Sequence, residues 1–264
     1  MVFYDPEKQC LVYLSIQSSK FFWDNHWRSE IFKMPRTRDR FVVRVTKKFL
    51  PTGSKVLDGG CGRGQIVWSL ADAGYHAYGI DYASETVAST KHFIPELNVL
   101  EGDVRNLPFK SNSFDGYWSL GVIEHFFDGY NDIMKEMFRV LRPGGFAFVT
   151  FPSMSLLRKV KVKLGCYPVL KKDETSIRRL FYQYALNEVD VLINFTKLGF
   201  EIVDQRRIDG TKGLKDEIMV LKAILQPIYD GRSLPVKLTR KLLDCGSRRW
   251  CGHMSFMILS KNRV

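Results

Sequence analysis

The chain has 264 residues, 45% of them hydrophobic and 13% aromatic, with 40 Lys and Arg against 28 Asp and Glu for a net charge of +12. That is enough apolar material for one large core, glycine and proline are too few for a collagen-like or low-complexity chain, and no apolar run approaches the roughly 20 residues of a spanning helix. Five cysteines (Cys10, Cys61, Cys166, Cys245, Cys251) make no Cys-x-x-Cys pair or metal-ligand spacing, and the N-terminus does not read as a signal peptide, so the expectation is a cytoplasmic protein with reduced thiols and no metal site.

Residues 1–50 show no strand rhythm beyond Leu11–Ile16. They are aromatic early (Phe21, Phe22, Trp23, Trp27) and basic and amphipathic over Arg36–Leu50, which predicts an N-terminal helical segment beside the main body. From residue 51 short apolar runs alternate with helical stretches. Lys55–Asp58, His76–Ile80, Leu97–Glu101, Phe114–Leu120 and Phe146–Phe151 read as strands; Gly64–Ala73, Ser84–Phe93 and Tyr130–Leu141 read as helices. The helix over Tyr130–Leu141 puts Ile133, Met137, Val140 and Leu141 on one face and stops at Arg142-Pro-Gly-Gly145. This alternation predicts an α/β fold, Rossmann-like and doubly wound, with a mostly parallel sheet. A helix near Asn187–Lys197 and strands near Phe200–Arg207 and His253–Ser260 complete it at seven strands.

Two breaks interrupt the rhythm, at about 154–184 and 208–250, and both read as insertions. Residues 154–179 carry +6 and residues 206–249 another +6, so these segments hold the whole net charge.

The chemistry concentrates at Val56-Leu-Asp-Gly-Gly-Cys-Gly-Arg-Gly-Gln65. A strand ends at Asp58 and a turn rich in glycine opens a helix, as where ligands meet the carboxyl ends of strands in open α/β sheets. A P-loop fails because Gly64 is followed by Gln65 rather than Lys, and a GxGxxG dinucleotide turn fails because Gln65 takes the third glycine's place. What remains resembles the S-adenosylmethionine (SAM) site of class I methyltransferases, in the broad family of the ubiquinone and menaquinone methyltransferases, whose methyltransferase domain is of type 11. Gly79-Ile-Asp81, Gly102-Asp103-Val104, Ser113-Phe114-Asp115, Tyr117 through His125, and Glu136 through Gly145 follow in that family's order over about residues 50–152.

The resemblance implies SAM as cofactor and S-adenosylhomocysteine as product, held by Asp58, Gly60, Cys61, Gly62, Gly64, Asp81, Tyr82, Asp103, Val104 and Ser119. Asp81 would take the ribose hydroxyls and Asp103 the adenine side. Alternatives stay open residue by residue: Cys61 also suits the turn sterically, Asp81 and Asp103 also suit caps and turns, and Trp118 reads as core. His125, following the fourth strand, is the candidate base for an oxygen nucleophile, with a helix-start histidine as the plain alternative. Glu124, Trp23 and Trp27 are candidate substrate contacts, the tryptophans forming a lid with the insertions. The metal-binding E-x-x-E-H of some relatives has Gly121 in its first place, so no metal is expected.

These features point to a methyltransferase, an O-methyltransferase of a small anionic, lipid-linked or glycan-type molecule. RNA or protein methylation through the basic insertions is the alternative, and a non-catalytic SAM binder a third. The basic segments read equally as an anionic membrane face, a nucleic-acid surface or a solvated face. Oligomeric state is not legible.

Overall fold

The computed structural model describes residues 1–28, 38–171 and 174–262. The stretch of the expected Arg36–Leu50 helix before Arg38, and Lys172 and Asp173 of the first insertion, lie outside them.

The chain opens with a hairpin, β1 (Val2–Asp5) and β2 (Cys10–Leu14), then α1 (Lys20–Arg28) and α2 (Arg40–Phe49). The alternating unit follows as β3 (Lys55–Gly59), α3 (Gln65–Asp72), β4 (His76–Asp81), α4 (Ser84–Phe93), β5 (Val99–Glu101), β6 (Phe114–Leu120), a 3-10 turn (Ile123–His125), α5 (Asn131–Val140) and β7 (Leu141–Pro152). Next come α6 (Leu156–Lys163), α7 (Glu174–Leu180), β8 (Phe181–Ala185), α8 (Glu188–Leu198) and β9 (Phe200–Ile208). Helices α9 (Gly210–Glu217), α10 (Met219–Asp230) and α11 (Leu234–Cys251) precede β10 (Met254–Lys261).

The main sheet has seven strands in the order β5-β4-β3-β6-β7-β10-β9. β3 to β7 run parallel, and β10 is antiparallel to both neighbours. Strand alternation divides the side chains between two layers. Leu57, Tyr117, Val149 and Met257 face α5 and α8, packing with Ile133, Met137, Val140 and Phe195. Val56, Trp118, Phe148 and Ile258 face α2, α3 and α4, packing with Val42, Val45, Val67, Leu70 and Val87. Trp118 is fully buried, stacks on Phe148 at 4.4 Å and donates its Nε1–H to Thr46 Oγ1 at 3.0 Å, so it belongs to the core.

The N-terminal expectation needs correction. The strand allowed for at Leu11–Ile16 is β2, but Val2–Asp5 adds a strand where none was expected, and β2 pairs with β8 in a separate sheet of order β1-β2-β8. Short strands with one buried partner give too few alternations to signal themselves. Helices α6, α7, α9, α10 and α11 lie outside the main sheet, with β8 between α7 and α8.

Candidate active site

The sheet order reverses between β3 and β6, where an open α/β sheet leaves a crevice at its carboxyl edge. A cavity occupies that crevice, lined by Gly60 after β3, Asp81 at the end of β4 and Tyr82 after it, Asp103 and Val104 after β5, and Gly121, Val122 and His125 after β6. Trp23, His26 and Trp27 of α1 cover it.

The glycine turn is shaped for a close ligand. Gly60 and Gly62 have φ of +83° and +50°. A Cβ on Gly60 would lie 2.5 Å from Val122, and one on Gly62 would lie 2.6 Å from the Trp27 ring. Gly64 is also left-handed, at +72°, and opens α3 without a side-chain cap. Asp81 is tied into this turn, its carboxylate accepting from Gly62 N at 2.7 Å and Ala83 N at 2.9 Å. Burial pushes its pKa up, and those two backbone donors oppose the rise.

The covering helix is tied down from within. Asp24 of α1 is buried and accepts from the backbone N–H of Thr86 at 3.0 Å and from its hydroxyl at 3.1 Å. α4 has no side-chain cap of its own, so a residue of the covering helix satisfies one of its open amides.

At the other end of the cavity His125 makes a T-shaped contact with Trp23, ring centroids 4.9 Å apart. Its Nδ1 is 2.8 Å from the carbonyl oxygen of Tyr182. A carbonyl only accepts, so Nδ1 carries the hydrogen and Nε2 the lone pair. Burial pulls the imidazole down to about 4, so it is neutral at pH 7. Glu124 beside it is buried, its Oε1 4.0 Å from His125 Nε2 and its Oε2 without a hydrogen-bond partner. Burial raises its pKa to about 8, leaving a protonated carboxyl at neutral pH.

Glu124 forms a partition. A Cβ on Gly121, which lines the first cavity, would stand 3.3 Å from Glu124 Oε1. On its far side Glu124 lines a second cavity, with Tyr13, Tyr167, Tyr182, Tyr229, His253 and residues of α6, α9 and α10. The formal charges around that cavity balance, with Lys161, Lys212 and Lys222 against Asp209, Asp216 and Glu217. Lys161 bonds Glu217 at 2.7 Å and Lys212 bonds Asp216 at 2.9 Å. His125 also borders a polar recess with Arg105, Asp128 and Arg178.

Of the expected site residues, the structure brings Gly60, Asp81, Tyr82, Asp103, Val104, His125, Trp23 and Trp27 together around one cavity. Gly62 and Gly64 shape the turn from outside the lining. Asp58, Cys61 and Ser119 do not line it. Asp58 is buried beneath the turn, and burial with the neighbouring Asp81 charge raises its pKa to about 8. Cys61 packs under the sheet, where a Cβ on Gly79 would meet its sulfur at 2.7 Å. Ser119 is fully buried in β6. Asp103 is held by Arg105 through contacts of 2.6 to 3.0 Å; burial pushes its pKa up, but these bonds win and lower it. His26 and the second cavity were not foreseen, because their residues meet only through long-range folding.

The basic segments are less available than their sequence suggests. Arg158 is buried, bonding Glu217 Oε1 at 2.7 Å, Ser153 O at 2.7 Å and His253 Nδ1 at 3.0 Å. Arg207 forks onto Glu188. Each of these two arginines is committed to an internal carboxylate. Among the described residues no group of His, Cys, Asp and Glu has the arrangement of a metal site, and no helix is long and apolar enough to cross a membrane.

The sheet order, with a glycine turn at the switch point, Asp81 ending β4 and Asp103 just beyond β5, is that of the class I methyltransferase fold. Residues 57–149 match a family model described as a methyltransferase domain. A probable S-adenosylmethionine-dependent methyltransferase of Mycolicibacterium smegmatis is 37% identical over 101 residues, 38% of this chain and 39% of that protein. Demethylmenaquinone methyltransferase of Paenarthrobacter aurescens is 31% identical over 121 residues, 44% of this chain and 46% of that protein. The aligned part thus spans less than half the length of these curated relatives. Among solved structures, phosphoethanolamine N-methyltransferase 2 of Haemonchus contortus, bound to phosphomonomethylethanolamine and S-adenosylhomocysteine, has a TM-score of 0.54 at 20% identity, covering 91% of this chain and 56% of that one, a likeness of fold.

Proposed function

We propose that this chain is a SAM-dependent O-methyltransferase whose acceptor is a small or lipid-linked molecule bearing an acidic hydroxyl, such as a phenol or enol. The residues around the crevice fit the cofactor: Gly60 and Gly62 leave room for it, Asp81 would bind its ribose, and Asp103 and Val104 its adenine. When bound, SAM supplies a methyl group on a sulfonium, which needs little further activation.

The observation that carries the reading is His125, neutral, fixed in one tautomer by the Tyr182 carbonyl, and bordering the crevice. Its Nε2 would accept the acceptor's proton as the new O–CH3 bond forms and the S–CH3 bond breaks, leaving an imidazolium and a neutral thioether. A base whose conjugate acid has a pKa near 4 is matched to an acidic hydroxyl better than to an alkyl alcohol. Glu124 would brace the imidazolium, its carboxyl becoming more acidic beside the new charge. The tyrosines of the second cavity suit an aromatic or lipid-like acceptor, and its balanced charge speaks against a strongly anionic one. The commitment of Arg158 and Arg207 to internal carboxylates weakens the RNA alternative.

The test is incubation with methyl-labelled SAM and, in parallel, phenolic, alcoholic, lipid-extract, RNA and protein acceptors. Label is expected in phenolic or lipid products; label confined to RNA or protein overturns the proposal. His125→Ala should lower kcat by about a hundredfold or more with S-adenosylhomocysteine affinity unchanged, and full activity would remove it as the base.

A further inference from the structure

We propose that helices α6 and α11 dock this protein onto an anionic lipid bilayer. The two helices lie far apart in sequence but repeat one pattern. In α6 it is Leu156-x-x-Lys159-Val160-x-x-Lys163-Leu164, with Leu164 the capping residue; in α11 it is Leu234-x-x-Lys237-Leu238-x-x-Lys241-Leu242. Apolar residues four apart share one side of a helix, and each lysine falls one step round from that row.

The core uses neither row. Leu164 is 73% exposed and Leu242 75%, and Leu156, Val160, Leu234 and Leu238 are exposed as well. The four lysines are exposed beside them. Both helices bury other faces: α6 turns Arg158 inward, α11 buries Cys251, and the two pack on each other. α10, packed against α11, adds the exposed Met219, Val220 and Ile224. Wet leucines persist at a cost unless something covers them.

The occupant follows from the chemistry of the two rows together. A polynucleotide would answer the lysines but leave the leucines in water. A second copy of the chain would cover leucines with leucines but set lysine against lysine. A bilayer bearing anionic headgroups answers both, taking the apolar row into the headgroup–acyl boundary and the lysines at the phosphates. The surface is argued without reference to catalysis, although α6 and α10 also line the second cavity.

Full-length protein is pelleted with vesicles of phosphatidylcholine alone or with about 30% phosphatidylglycerol, at low and high salt. Binding is expected to the anionic vesicles only and to weaken with salt. Lys237→Glu with Lys241→Glu should weaken it by tenfold or more, and so should Leu238→Asp with Leu242→Asp. All four positions are exposed, so circular dichroism and S-adenosylhomocysteine affinity should stay at wild-type values, which separates loss of docking from loss of fold or of the cofactor site. Absence of binding to anionic vesicles, equal binding to both vesicle types, or unchanged binding of both double variants overturns the proposal. Self-association or RNA binding lost in the same variants, without vesicle binding, overturns it in favour of those occupants.

Discussion

Glu124 holds a proton that the unfolded chain releases, and this makes its replacement by glutamine a sharp test of the site. The folded carboxyl titrates at about 8 and the unfolded one at 4.5, and burial is the cause. The folded value lies above the unfolded one, so Glu124 costs nothing below pH 4.5 and costs progressively more as pH rises toward 8. At 1.36 kcal/mol per pH unit the cost reaches about 4 kcal/mol at pH 8 and about 1 kcal/mol at pH 5. Glutamine keeps the shape and one hydrogen-bond donor but has no proton to retain. Glu124→Gln should therefore raise Tm by roughly 10 °C near pH 8 and by only a few degrees near pH 5, while methyl transfer falls. Thermal unfolding of both proteins across that range, followed by calorimetry, measures the difference. A gap independent of pH, or a lower Tm for the variant at pH 8, would refute the buried-acid argument.

Asp81→Ala should weaken S-adenosylhomocysteine binding by about a hundredfold, since it removes a carboxylate that organises the Gly62 turn and faces the crevice; calorimetric affinity equal to wild type would dissociate Asp81 from the cofactor. Asp24→Ala should loosen α1 from α4 and speed cofactor release by roughly threefold to thirtyfold, the worth of a helix-capping carboxylate. Stopped-flow tryptophan fluorescence, reading Trp23 and Trp27 over the site, measures it. An unaltered release rate would mean that the latch is not what keeps the lid shut.

The alternating core between residues 55 and 152 was readable because each of its elements announces itself over a short window. Ser84–Phe93 as a helix and Phe114–Leu120 as a strand coincide with the structure at both ends. The helix stops as expected, with Leu141 as its C-cap, and Leu141 with the Arg142-Pro-Gly-Gly run also begins a long strand, since β7 extends back to pair with Phe114. That Gly60 and Asp81 would stand together at one crevice was legible because they lie at the carboxyl ends of strands that periodicity already locates. Asp58 shares the motif yet is buried and does not line the crevice, and a sequence motif does not record which side chains near a strand's end reach a ligand. The second cavity was invisible for a different reason. Tyr13, Tyr182 and His253 are distant in sequence and meet only once β2, β8 and β10 have assembled. Charge misled in a similar way: the run from Arg158 to Lys163 looks like a solvent-facing cluster, but Glu217 folds back to take both Arg158 and Lys161.

The pairing of β2 with β8 sets a timetable for the ribosome. Leu11 bonds opposite Ala185 and Val12 opposite Tyr184, so the hairpin leaves the exit tunnel long before its third strand is made. At roughly 5 to 20 residues per second the interval is on the order of ten to thirty seconds. Throughout it, Cys10, Leu11 and Val12, all buried in the finished protein, present an unpaired apolar edge of the kind that recruits chaperones or other nascent chains. Tyr182, whose carbonyl fixes the His125 tautomer, arrives on that same late strand. The residues around the glycine turn are therefore made early, and a product ending before residue 181 would leave His125 Nδ1 without the Tyr182 carbonyl.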